Sequence, residues 1–167
     1  MMKEHFVMMA RYNTWSNSRV YRMARELSDE QYRRNVGAYF KSLHGTLNHL
    51  LVADRIWMWR LTQVGDAPTK LNAVLFDDLS ELTEARRAED ERIETFVGNL
   101  TDAQMEESVE YRAGSGSQQQ KLREVLAHVF NHQTHHRGQA HGILTALGVE
   151  EPDSLDLIRM VRERAAR

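Results

Sequence analysis

Four stretches of this chain repeat apolar residues at three- and four-residue spacing for about 20 residues or more each, with no proline inside them. That is the spacing of a helix that buries one face, so the pattern predicts four long amphipathic helices. The first covers about Glu4 to Leu27, with Phe6, Met9, Asn13, Val20, Met23, Ala24 and Leu27 on one side. The second covers about Ser42 to Gln63, on Leu43, Leu47, Leu50, Trp57 and Leu61, and Gly65 and Pro68 end it. The third covers about Asp77 to Gly98, on Leu79, Leu82, Ile93, Phe96 and Val97. The fourth covers about Gln119 to Leu147, on Leu122, Val125, Val129, Ala140, Ile143 and Leu147, with Gly148 just past its end. A short fifth helix is expected after Pro152, capped by Asp153 or Ser154. Of the connections, Ser28 to Tyr39 and Thr101 to Gln118 are the longest; Val109-Glu110-Tyr111 reads as a short strand and Gly114-Ser115-Gly116-Ser117 as flexible.

The expected fold is therefore all-α, a four-helix bundle with a short C-terminal helix, in one domain spanning residues 1–167. Hydrophobic residues make up 41 % of the chain and charged residues 28 %, a globular balance. No apolar run is long enough for a membrane span, and no long apolar N-terminal stretch marks a signal peptide, so a cytoplasmic protein without a membrane partner is expected. The net charge of −2 and the lack of a basic stripe argue against a nucleic-acid partner. With no cysteine, the chain has no thiol nucleophile of its own and no thiolate metal site. It also has no GxxxxGK[ST] loop, no GxGxxG and no Glu-x-x-His pair of the di-iron bundles.

The informative residues are polar ones inside apolar stripes. Five of the eight histidines fall between His128 and His141. On a helical wheel His132 and His136 lie within the stripe of the fourth helix, one turn apart. Two imidazoles at i, i+4 can share one metal ion, although HxxxH lacks the glutamate of the zincin motif. His128 and His135 lie at the flank of that stripe, and His141 points away. On the second helix His49 sits at the edge of the apolar arc between small neighbours, Thr46 and Ala53, which makes it a candidate third ligand; His44 reads as solvent-facing. Arg86 and Glu89, with Asp90 beside them, interrupt the third stripe, either as a site or as an internal salt bridge. Asn13, flanked by Ser16 and Asn17, interrupts the first. Each break falls near the middle of its helix, so the four imply a polar layer across the centre of the bundle. Tyr12, Trp15, Trp57 and Trp59 read as core or subunit contacts, and Trp57-Met58-Trp59 offers more apolar surface than one stripe buries, as a homodimer would need.

Three segments carry a resemblance. They are Tyr12-Asn13-x-Trp15-x-Asn17, then Thr46-Leu47-Asn48-His49-Leu50-Leu51-Val52-Ala53-Asp54 followed by Trp57, then Leu126 to Gln139 with its Asn-His-Gln-Thr-His-His-Arg-Gly-Gln block. From about Tyr12 to Gly148 the chain resembles the DinB family of the DinB/YfiT-like superfamily, whose name records induction by DNA damage and not a reaction. The resemblance implies a four-helix bundle of unusual connectivity, often dimeric, with one divalent ion held at positions that match His49, His132 and His136. Zinc, nickel, iron and copper all suit such a donor set, with zinc, nickel or iron the expected cofactor. Some relatives use low-molecular-weight thiols, so the resemblance implies a metal-dependent enzyme, S-transferase-like or hydrolase-like, with a small-molecule substrate such as a low-molecular-weight thiol. A non-catalytic metal-binding or stress-response bundle is the alternative. Glu89, Asp90 and Arg86 are the candidates for base or orienter, Asn131 and Gln139 for groups that orient the imidazoles, and Asn13 and Asn17 for pocket residues.

Overall fold

Two of the long helices begin where a polar side chain caps their free N–H groups. Ser42 Oγ accepts from the Gly45 N–H, and Asp78 accepts from Ser80 and Glu81. In the computed structural model, which describes residues 2–114 and 116–166, the order is α1 (Met2–Ala24), α2 (Asp29–Arg33), α3 (Leu43–Thr62), α4 (Leu79–Asn99), α5 (Asp102–Met105), β1 (Ser108–Ala113), β2 (Gly116–Lys121), α6 (Leu122–Ala146) and α7 (Leu157–Ala165). The four long helices match the four periodic stretches. α1 packs on α4 and α6, and α3 packs on the same two. Gln63, at φ 56°, closes α3, and Gly148, at φ 98°, follows α6 where only glycine is unstrained. None of the helices among the described residues is long and apolar enough to cross a membrane.

The fold is mostly helical but not all-α, which corrects the expectation. β1 and β2 form an antiparallel hairpin, in register from Ser108 with Lys121 to Ala113 with Gly116. Alternation along Ser-Val-Glu-Tyr-Arg-Ala turns Val109, Tyr111 and Ala113 to the less exposed face. Gly114 takes φ 58° at the turn, a left-handed value that glycine supplies freely. Of the expected flexible segment, Gly116 and Ser117 are paired strand residues, and Ser115 lies outside the described residues.

α7 starts at Leu157 with Asp156 at its cap, not Asp153 or Ser154. Both expected caps are committed elsewhere. Asp153 pairs with Arg19 and Arg22 and its carbonyl takes the His141 Nε2 proton, while Ser154 Oγ donates to Asp156.

The core has two apolar halves. One gathers Val20, Leu43, Leu47, Leu51, Leu82 and Leu144; the other gathers Phe6, Met58, Ile93, Val97, Leu126 and Phe130. Between them every long helix contributes buried polar groups: Asn13 and Asn17 from α1, Asp54 from α3, Arg86 and Asp90 from α4, Gln133 and Arg137 from α6. The connection from α3 to α4 is held down by α3 itself. Asn48 Oδ1 accepts from the Leu75 and Phe76 N–H groups, and its Nδ2 donates to the Phe76 carbonyl.

Candidate metal centre

The packing of α3 on α6 sets the position of the histidines. Gln133, fully buried, donates from Nε2 to the Leu50 carbonyl at 3.1 Å and so pins the two helices where His49 and His132 face each other. The His49 ring lies 5.1 Å from that of His132 and 4.5 Å from that of His136, and the last two are 4.4 Å apart. Nε2 of His49 is 3.3 Å from Nε2 of His132. One nitrogen from each ring lies within 4.8 Å of the others.

The outer nitrogens of His49 and His136 are occupied in a way that fixes those two rings. His49 Nδ1 donates to the Leu71 carbonyl at 2.8 Å. His136 Nδ1 donates to Gln139 Oε1 at 2.8 Å, and Gln139 Nε2 in turn meets His135 Nε2 at 3.1 Å. An acceptor at Nδ1 puts the proton there and leaves the Nε2 lone pair for the shared centre. Burial also keeps the rings neutral. It lowers His49 and His136 below the ordinary histidine range, and it takes His132, with the neighbouring His136 and His49, down to about 3. Neutral and converging, with His49 and His136 oriented by their Nδ1 bonds, the three imidazoles fit a divalent ion held by nitrogen donors. The Phe40 ring stacks on His49 at 3.8 Å and meets His136 edge-on at 5.5 Å. Phe40 and Leu71, which both touch His49, also line a cavity of about 680 Å³; the three imidazoles do not.

The wheel places His132 and His136 within the apolar stripe, but in the structure they sit at the edge of the buried face. Leu126, Phe130 and Leu144 are also buried, which centres that face on Gln133 and Arg137 and leaves the two histidines half-exposed at its edge. His44 is another correction. It is 9 % exposed, packed edge-on against Tyr32, with Nε2 at 3.3 Å from the Phe76 carbonyl, because the α3–α4 connection folds over it. Gln139 does orient an imidazole. Asn131 does not: it is exposed, on the solvent side of α6.

The other expected site residues belong to the buried layer and touch none of the three imidazoles. Arg86 reaches Asp54 at 2.7 Å and Asp90 at 3.0 Å. Asp90 Oδ1 also accepts from Asn13 and Asn17, each at 3.0 Å. Arg137 donates to Asn13 and, at 3.3 Å, to Gln133. Glu89 pairs with Arg92 at 3.0 Å and more loosely with Arg55. Burial pushes Asp90 up to about 6 and raises Asp54 and Glu89 as well, against the pull of the arginines. Arg86 is favoured in its charged form: burial opposes the charge, but Asp90 and Asp54 outweigh it. Asp54, Gln133 and Arg137 were not picked out from the sequence. The signal was there for the last two, polar residues one turn apart between Phe130 and Leu144.

Fold and centre together define a mostly helical protein with a three-histidine group suited to a metal ion. The sequence model of the DinB family matches residues 1–163, and the chain belongs to that family. Protein DinB of Bacillus subtilis (strain 168) is 28 % identical over 147 residues, 82 % of this chain and 83 % of the relative. A DinB-like protein of Bacillus cereus ATCC 10987 has the same fold, with a TM-score of 0.70 at 18 % identity, over 90 % of this chain and 95 % of that one. A DinB-like protein of Bacillus subtilis gives a TM-score of 0.65 at 14 % identity, over 89 % of this chain and 97 % of that one.

Proposed function

We propose that His49, His132 and His136 hold one divalent ion and that the protein is a metal-dependent enzyme, S-transferase-like or hydrolase-like. The observation that carries this reading is the convergence of three neutral imidazoles, of which His49 and His136 already have their outer nitrogens engaged. When bound, an ion held only by neutral nitrogens keeps its full charge, and with a fourth position open it makes a coordinated water or thiol more acidic. The chain has no cysteine, so a thiol arrives with the substrate.

Its own residues have separable tasks. Leu71, through its carbonyl, and Gln139, through its side chain, hold the planes of His49 and His136. Phe40 shields one face of His49 from water. Arg86, Glu89 and Asp90 are positioning residues in this reading rather than proton-transfer groups, since Arg86 and Asp90 pair with each other inside the core and Glu89 is held by Arg92. Zinc, nickel and iron all satisfy the donor set.

The test is the metal content of protein expressed without a histidine tag and purified without metal resin. About one divalent ion per chain is expected, absent from His49→Ala and His132→Ala. Wild-type protein that carries no ion and takes up none from added zinc, nickel or iron would refute the reading.

A further inference from the structure

The aromatic surface does not stop at the three histidines. His132 lies 6.0 Å, ring to ring, from His128, His128 lies 5.2 Å from Trp57, and Trp57 meets Tyr111 of β1 at 5.0 Å and 68°. The guanidinium of Arg60 sits in the corner of those last two rings, 4.5 Å from the centre of Trp57 and 5.2 Å from that of Tyr111. Both contacts are with ring faces, which leaves the N–H edge of the fork to another partner.

The chain supplies no such partner. Among the described residues Arg60 makes no ion pair, and its side chain donates no hydrogen bond. Other half-buried arginines all have one: Arg19 has Glu163, Arg55 and Arg92 share Glu89, and Arg123 has Glu106. Burial without a counter-charge lowers the pKa of Arg60, so an arriving anion would relieve a real cost. Arg60 and Tyr111 open onto a cavity of about 410 Å³ that Trp59 and Arg112 also line. Glu110, the one carboxylate residue in that lining, does not meet Arg60: it accepts from Ser117 Oγ at 2.5 Å on the more exposed face of the hairpin.

We propose that Arg60, held between Trp57 and Tyr111, is a carboxylate-binding subsite, and that the substrate of the histidine centre is an organic acid whose carboxylate docks there. The second half rests on the metal-centre reading; the first does not. A carboxylate matches the planar fork, which can take it through two parallel N–H···O bonds. Arg60 lies eleven residues beyond His49 on α3, about 16 Å along the axis at 1.5 Å per residue. A substrate that bridges both points is the size of a small peptide, laid along the His128–Trp57 wall.

The subsite is tested on the metal-free full-length protein with benzoate as probe and benzamide as its uncharged counterpart. Binding is followed by NMR at the Trp57 indole N–H and the Tyr111 ring. Benzoate is expected to shift both signals saturably, and benzamide to bind at least tenfold more weakly. Arg60→Gln should cut benzoate affinity at least tenfold, and Arg60→Lys should fall between, because it keeps the charge but not the fork. His132→Ala should bind benzoate as wild type does. Equal binding of the two probes, unchanged affinity in Arg60→Gln, or shifts confined to other residues would overturn the proposal. Benzoate binding in a protein that takes up no metal would leave the subsite standing and remove only its link to the histidines.

Discussion

Arg86→Met isolates the energetics of the polar layer. The substitution keeps most of the side-chain volume and removes the guanidinium that lies 2.7 Å from Asp54 and 3.0 Å from Asp90. Both carboxylates are almost completely buried, at 1 % and 3 % exposure, so neither can turn to water for compensation. Asp90 keeps Asn13 and Asn17 as donors and the weaker pull of Arg137, but it loses the one cation in direct contact with it. Removing one partner of a buried pair costs about 3–5 kcal/mol at neutral pH. For a domain of this size each kcal/mol moves Tm by about 2–4 °C, so a fall of roughly 6–20 °C is expected.

The cost also has a pH signature. Asp90 already titrates near 6 in the folded protein, above its unfolded value, and loss of the cation raises it further. A carboxylate raised in this way adds no penalty while it is protonated in both states, below about pH 4. The penalty grows as pH rises and is complete only above the folded pKa. The Tm gap between wild type and variant should therefore be widest at pH 7–8 and narrow steadily toward pH 5. Thermal unfolding followed by circular dichroism from pH 5 to 8 measures it. A loss below about 1 kcal/mol at pH 7, or a gap that does not change with pH, would show that the pair is not the buried charge compensation described above.

Further outcomes follow from single contacts. Gln139→Ala removes the acceptor at His136 Nδ1 and should weaken metal binding about 10- to 100-fold while leaving helicity unchanged, as read by competition with a chromophoric chelator. Gly45→Ala should cost about 1–3 kcal/mol in chemical denaturation, because its new Cβ would stand 2.2 Å from the Phe40 carbonyl oxygen and force that segment off α3. Asp90→Asn should flatten the fall in wild-type stability between pH 4 and 6, since that fall comes from the raised carboxyl.

How much of this was legible beforehand depended on the range of the forces involved. The long helices were readable because their period and caps are local: Ser42 and Asp78 cap α3 and α4 within a residue or two of the boundaries that periodicity suggests. His132 and His136 were readable as a pair because i, i+4 spacing is also local, and His49 was readable as a candidate from its small neighbours Thr46 and Ala53, which the family resemblance then supported. The hairpin was only half readable. Val109 to Tyr111 looks like a strand, whereas Gln118-Gln119-Gln120 has no strand character of its own and is ordered by pairing across the turn. The Leu71 carbonyl on His49 left no trace in the sequence, because any residue there brings a carbonyl. Gln133 and Arg137 were passed over because the histidines beside them drew the wheel one position round.

The grip of α3 on its own following connection has a thermodynamic consequence. His49 holds Leu71, and Asn48 holds Leu75 and Phe76, so the chain after Gln63 is tied back to the helix it has just left, once through an imidazole of the candidate metal centre. Whatever fixes the His49 ring thereby tightens residues 71–76, and whatever loosens those residues frees the ring. Occupancy of the centre and order in the connection are thus linked quantities, each able to report the other. Slower amide exchange at Leu75 and Phe76 on adding metal would be the visible sign of that linkage, at a distance from the ion where no ligand is being replaced.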